Sequence, residues 1–175
     1  MSDDLFSLEG RVALVTGTSR GLGQYMARAL AKAGADLVIT SRIRERLISF
    51  ESEIKSLGRR AVSLELDVRN LESIQQMVRD AESAFGHIDI LVNNAGCNVR
   101  KPAMEVTWED WNLILETNLR GGFFVAQAVA RGMIERRYGR IINIGSVNRG
   151  CRLRRPWPLR SESRRCPAAH NEPRR

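Results

Sequence analysis

Thr16-Gly17-Thr18-Ser19-Arg20-Gly21-Leu22-Gly23 follows an uninterrupted apolar run, Val12-Ala13-Leu14-Val15, and leads into a pattern of helical spacing. Glycine permits φ > 0 and lets a ligand approach the backbone where a Cβ would hold it off. The start of the following helix adds converging N–H groups and partial positive charge. A buried strand, a glycine turn and a helix in that order predict a place to hold a pyrophosphate. On this stretch the chain reads as a nucleotide-binding α/β protein.

Working outward, Leu22, Met26, Ala29, Leu30 and Ala33 recur at helical spacing, with Gly34 placed as a C-terminal cap. Asp36 to Thr40 reads as a second strand. Ile43, Leu47, Phe50, Ile54 and Leu57 stripe a second helix that Gly58 stops. Ala61 to Leu66 is a third strand, and Leu71, Ile74, Val78, Ala81 and Phe85 mark a third helix with Asn70 as its cap. Ile88 to Val92 is a fourth strand. Thr107-Trp108-Glu109-Asp110 has the form of a capping box, with Val106 and Trp111 at the staple positions, and opens a long helix through about Met133. Tyr138 to Ile144 leads into a fifth strand. Alternating strands and helices, with strands apolar on both faces, predict a doubly wound parallel sheet of order 3-2-1-4-5, incomplete after the fifth strand.

The chain has 175 residues and a formal net charge of +8. That charge is unevenly placed: residues 1–148 hold 19 Lys plus Arg against 18 Asp plus Glu, while residues 149–175 hold nine Arg and two Glu. Residues 1–148 therefore read as the nucleotide-binding domain, and 149–175 as an Arg/Pro-rich tail expected to be disordered. Cys97, Cys151 and Cys166 have neither disulfide-framework nor metal-ligand spacing, and no metal site is expected. The opening Met1-Ser2-Asp3-Asp4 is not a signal peptide, and no apolar run reaches the roughly 18 residues that span a bilayer. The expectation is a cytoplasmic protein without a membrane role.

Four features in this order resemble the short-chain dehydrogenase/reductase family: Thr16-Gly17-x-x-x-Gly21-x-Gly23, Asp67 after strand three, Asn93-Asn94-Ala95-Gly96 after strand four, and Asn118 followed by a strand that ends in Ser146. The resemblance covers roughly residues 8–148. It implies a Rossmann fold and hydride transfer between a nicotinamide cofactor and a small carbonyl or alcohol substrate. It also implies the cofactor-binding set. Gly17, Ser19, Arg20, Gly21, Leu22 and Gly23 supply the turn, Ser41 and Arg42 follow strand two, Asp67 and Val68 follow strand three, and Asn94, Ala95 and Gly96 follow strand four. Asp67 would contact the adenine ring. Within the family, Lys101 to Thr107 and Asn118-Leu119-Arg120-Gly121 look similar to gluconate-type dehydrogenases and 3-oxoacyl acyl-carrier-protein reductases.

Charge separates the two nicotinamide cofactors. An NAD enzyme places an acid about 20 residues past the turn to accept from the ribose 2′-OH. This chain has Ser41-Arg42 there, and Arg20 and Arg42 would form a two-sided clamp on a 2′-phosphate. The expected cofactor is NADP rather than NAD. Unengaged surface arginines are the alternative.

Carbonyl reduction leaves negative charge on oxygen and so needs a proton donor within reach. The family uses a tyrosine beside a lysine, with a serine that orients the substrate and an asparagine that continues a proton relay. Asn118 and Ser146 match the last two. The Tyr-x-x-x-Lys pattern is expected about a dozen residues after Ser146, but that window reads Arg155-Pro156-Trp157-Pro158-Leu159-Arg160-Ser161-Glu162-Ser163, and no tyrosine follows Tyr138. Impaired turnover is expected, with a non-catalytic nucleotide-binding remnant as the alternative. The change after Asn148 reads as a break in the family pattern, missing or out of frame. Family members assemble as homo-oligomers, an expectation weakened here because most subunit contacts come from the missing part.

Three smaller readings complete the sequence. The arginine tail would bind phosphates electrostatically and depend on salt; with Trp157 its only aromatic, no specific nucleic-acid partner is expected. Cys97, Asn98 and Arg100 either line the substrate side of the pocket or form a plain surface loop. His87 and His170 read as surface residues.

Overall fold

The central strands of the sheet are short and apolar because both of their faces are covered, and their side chains alternate between two separate cores. The computed structural model describes residues 6–145. In it the strands β1 (Val12–Val15), β2 (Asp36–Ser41), β3 (Ala61–Glu65), β4 (Ile90–Asn93) and β5 (Arg140–Asn143) form one parallel sheet of order β3-β2-β1-β4-β5. This is the order predicted from the right-handed crossover rule. The register aligns Leu14 with Val38 and with Leu91 across the centre.

Alternation along β1 shows how two cores arise from four residues. Val12 and Leu14 belong to one cluster, packed under helices α3 (Leu71–Phe85) and α5 (Gly122–Glu135). Ala13 and Val15 belong to the other, under α1 (Leu22–Lys32) and α2 (Ile48–Ser56). Fully buried Leu14, Leu37, Ile39 and Leu91 anchor the two layers. At about 25 cal/mol per Å² of apolar surface, each such side chain contributes about 2 kcal/mol relative to exposure.

The caps fall where the sequence placed them. Asn70 Oδ1 accepts from the Ser73 N–H at 3.1 Å, and Gly86, with φ 83°, ends α3. Thr107 and Asp110 make a reciprocal capping box at the start of α4 (Trp108–Leu115), with bonds of 3.1 and 3.2 Å. Gly34, at φ 107°, follows α1 just past its last turn.

Two elements differ from the sequence reading. The second helix begins as a 3₁₀ turn, Arg44–Leu47, before becoming α2. The long helix from Thr107 is interrupted by a π-helical turn, Glu116–Gly121, that separates α4 from α5. Packing explains the second case. A Cβ on Gly121 would lie 2.7 Å from the Val68 carbonyl oxygen, so the helix passes hard against the β3–α3 loop there.

Strand β5 is the least covered element. All four of its residues are exposed, and Ile141 and Ile142 keep 39% and 46% of their surface in water. Among the described residues no strand pairs its outer edge. Nor is any described helix long and apolar enough to cross a membrane.

Candidate functional site

Parallel strands bring all their C-terminal ends to one edge of the sheet, and the order reverses between β1 and β4. Loops leaving in opposite directions there open a crevice, the general ligand position in such folds. In this chain the crevice is a cleft of about 900 Å³. Every one of the thirteen residues predicted for the cofactor lines it, from Gly17 through Arg42 and Asp67 to Gly96.

Thr16 holds the turn closed. Its buried hydroxyl accepts from the Asn94 and Ala95 N–H groups at 3.0 and 2.9 Å and donates to the Val92 carbonyl at 3.4 Å. Asn94 reciprocates by donating Nδ2 to the carbonyls of Thr16 and Gly17, at 2.8 and 3.1 Å. The turn is tied to β2 as well, because Thr18 donates its N–H to the Thr40 carbonyl at 2.9 Å.

This close packing leaves no room for side chains on two of the glycines. A Cβ on Gly23 would fall 2.5 Å from the Gly17 carbonyl oxygen, and one on Gly17, already at φ 72°, would fall 2.9 Å from Ala95 Cα. Gly21 has φ 64° with open space around its Cβ position, so there the requirement is conformational. The result is an open cradle of backbone at the start of α1, the shape and polarity that a phosphate group fits.

Asp67 and Arg69 form the wall beyond β3. Arg69 donates Nε to Oδ1 at 3.0 Å and Nη2 to Oδ2 at 2.6 Å, and its N–H also bonds Oδ1. The hydrogen bond from Arg69 holds the Asp67 carboxyl below its ordinary range, against partial burial that pushes it up. At the opposite wall Ser41 is buried and accepts from the Ile43 N–H at 3.2 Å. Arg20 and Arg42 are exposed at the mouth, and neither makes a salt bridge among the described residues.

Asn118 stands in the π-helical turn and bonds one neighbour through both ends of its amide. Its Oδ1 accepts from the Cys97 N–H and its Nδ2 donates to the Cys97 carbonyl, both at 2.8 Å. It thus pins the loop after β4 to the helix. Ser146 and residues 149–175 lie outside the described residues.

Eight further residues line the cleft, among them Ile43, Arg46, Arg69, Cys97 and Thr117. Of the loop residues read as candidates for the substrate side, Cys97 reaches the cleft, whereas Asn98 and Arg100 do not line it. His87 is half-buried, with Nε2 3.1 Å from Oδ2 of the buried Asp89. Among the described residues no cluster of His, Cys, Asp and Glu is disposed to hold a metal.

Fold and cleft together define a doubly wound α/β protein with an open backbone cradle at its switch point. Comparison with known proteins fixes the family. The short chain dehydrogenase model matches residues 11–154, and the chain belongs to that family. It is 45% identical over 144 residues to a gluconate 5-dehydrogenase of Gluconobacter oxydans, covering 82% of this chain and 56% of that protein. A 3-oxoacyl acyl-carrier-protein reductase of Vibrio cholerae is 44% identical over 141 residues, with 81% and 57% covered. Among solved structures, a gluconate 5-dehydrogenase from Burkholderia cenocepacia in complex with NADP and tartrate superposes with a TM-score of 0.82 at 42% identity, covering 89% of this chain and 60% of that one. The chain spans little more than half the length of the relatives it matches.

Proposed function

We propose that this chain is an oxidoreductase of the gluconate 5-dehydrogenase kind that binds NADP(H) in the cleft above β1 and β4 and acts on a small carbonyl or alcohol substrate. The observation that carries the reading is the far wall of the cleft, where β2 ends in Ser41-Arg42 with Arg20 on the opposing turn. An acid at that point would repel a phosphate on the adenosine ribose; two guanidiniums that make no salt bridge among the described residues attract it. The relative solved with NADP bound supports the same choice.

The residues present fit such a cofactor. The backbone from Ser19 to Gly23 would hold the pyrophosphate, and Asn94, Ala95 and Gly96 would border the adenosine ribose. Asp67, kept ionised by Arg69, offers lone pairs to an exocyclic amine. When bound, the nicotinamide supplies reversible hydride exchange with a carbonyl carbon, and the oxygen gains or loses a proton in the same conversion.

That proton is the difficulty in this chain. The window after Ser146 contains neither tyrosine nor lysine, so the oxygen has Ser146 or water as its proton partner. General acid–base catalysis is worth about 10²- to 10⁴-fold, and turnover is expected to fall by a comparable factor relative to a family member carrying the pair.

The test is titration of the purified chain with NADPH and NADH by cofactor fluorescence, with turnover followed on 5-ketogluconate and a panel of other carbonyls. Saturable binding that favours NADPH, with slow turnover, supports the reading. Tighter binding of NADH overturns the cofactor choice, and turnover at the rate of intact relatives overturns the expected impairment.

A further inference from the structure

Five charged side chains line the cleft: Arg20, Arg42, Arg46, Asp67 and Arg69. Asp67 and Arg69 neutralise one another through their pair at 2.6 Å. That leaves three guanidiniums, and among the described residues none of the three makes a salt bridge. Arg20 and Arg42 follow from the glycine turn and the end of β2. Arg46 does not follow from either.

Its position comes from the 3₁₀ turn. Ile43 caps the turn, and positions three apart fall on one side of any helical turn. Ile43 and Arg46 accordingly both line the cleft, while Arg44 and Glu45 between them do not. The base of the turn is fixed at both ends. Leu47 is fully buried in the core, and the Ile43 N–H is held by Ser41 Oγ at 3.2 Å. The Arg46 N–H closes the turn on the Ile43 carbonyl at 3.3 Å.

We propose that Arg46 is a specificity-determining residue, a third guanidinium for a phosphomonoester on the adenosine ribose of the dinucleotide. The assignment rests on the NADP(H) reading above. A dianionic monoester presents three terminal oxygens, which accept more charge-assisted hydrogen bonds than Arg20 and Arg42 alone fill with good fork geometry. NADH lacks that group, so Arg46 acts on the difference between the cofactors and not on their common part. Arg44, exposed on the same turn but outside the cleft, carries the same charge and so serves as its control.

The experiment is fluorescence titration of the full chain and of Arg46→Ala, Arg46→Lys and Arg44→Ala with NADPH and with NADH. Arg46→Ala is expected to weaken NADPH about tenfold and leave NADH within about twofold, the size of one hydrogen bond to a charged group. Arg46→Lys should recover part of the loss, and Arg44→Ala should change neither cofactor. Equal loss of NADPH affinity in Arg44→Ala and Arg46→Ala overturns the assignment, since it would report only the general field. So does an Arg46→Ala variant that keeps the full preference for NADPH. A parent chain that does not prefer NADPH overturns the cofactor reading itself, and the assignment with it.

Discussion

Replacing Gly23 by alanine sets two effects of opposite sign against each other. Gly23 is the second residue of α1, where alanine is the better helix former by about 1 kcal/mol. The new methyl, however, would lie 2.5 Å from the Gly17 carbonyl oxygen and 2.7 Å from Asn94 Nδ2, with backbone on one side and a committed amide on the other. Something must move, and overpacking of this kind costs about 1–3 kcal/mol. If the Asn94 amide is what yields, its bonds to Thr16 and Gly17 at 2.8 and 3.1 Å are lost too, at about 1 kcal/mol each. The balance is a destabilisation of about 2 kcal/mol, together with an opened cradle and loss of NADPH binding. Urea denaturation followed by far-UV circular dichroism gives the first quantity, and cofactor fluorescence gives the second. A Gly23→Ala chain as stable as the parent, or one that binds NADPH equally well, would refute the claim that the turn is closed by contact between Gly17, Gly23 and Asn94.

Gly122→Ala is the matched opposite: φ is −58° and nothing lies within 4 Å of its Cβ position, so a gain of about 0.5–1 kcal/mol is expected in the same denaturation assay. Burial pushes the Glu51 carboxyl up, but hydrogen bonds from Lys55 and Ser63 and the charge of Lys55 outweigh it and hold the group below its ordinary 4.5. Its contribution to stability is therefore present above that ordinary value and lost as pH falls through the depressed folded value. The stability difference between parent and Glu51→Gln, taken from denaturant midpoints across pH, should be full near neutrality and shrink in acid; a difference independent of pH would contradict this. Asn118→Ala should remove about 1 kcal/mol of local protection at the Cys97 amide, read by hydrogen exchange, while leaving the amides of β1 unchanged.

Much of this architecture is legible in the residues because its causes are local. Val12 to Val15 show no polar alternation, and a strand with both faces covered requires that. Asn70, Gly86 and the Thr107–Asp110 pair announce helix ends by chemistry acting across three or four residues. The thirteen cleft residues were recoverable because their places follow from strand ends, and a parallel sheet gathers those ends on one edge. Arg46 was not, since it is one of three consecutive charged residues, Arg44, Glu45 and Arg46, and only the folded turn after β2 shows which of them lines the cleft.

The π-helical turn is invisible for a different reason, and it bears on how the site is built. Asn118 must meet the backbone of Cys97, Gly121 must pass Val68 at contact, and Val125, Val129 and Met133 must face the sheet. An unbroken α-helix ties the rotations of those three demands together at 100° per residue. One widened turn between Glu116 and Gly121 changes the phase, so that the loop after β4 is held without turning α5 away from its core. Such insertions recur at functional sites because they separate the requirements of a site from those of packing. The signal that selects it lies in the contacts of Asn118 and Gly121 with residues about 20 and 50 positions away, on elements that only the folded chain brings together.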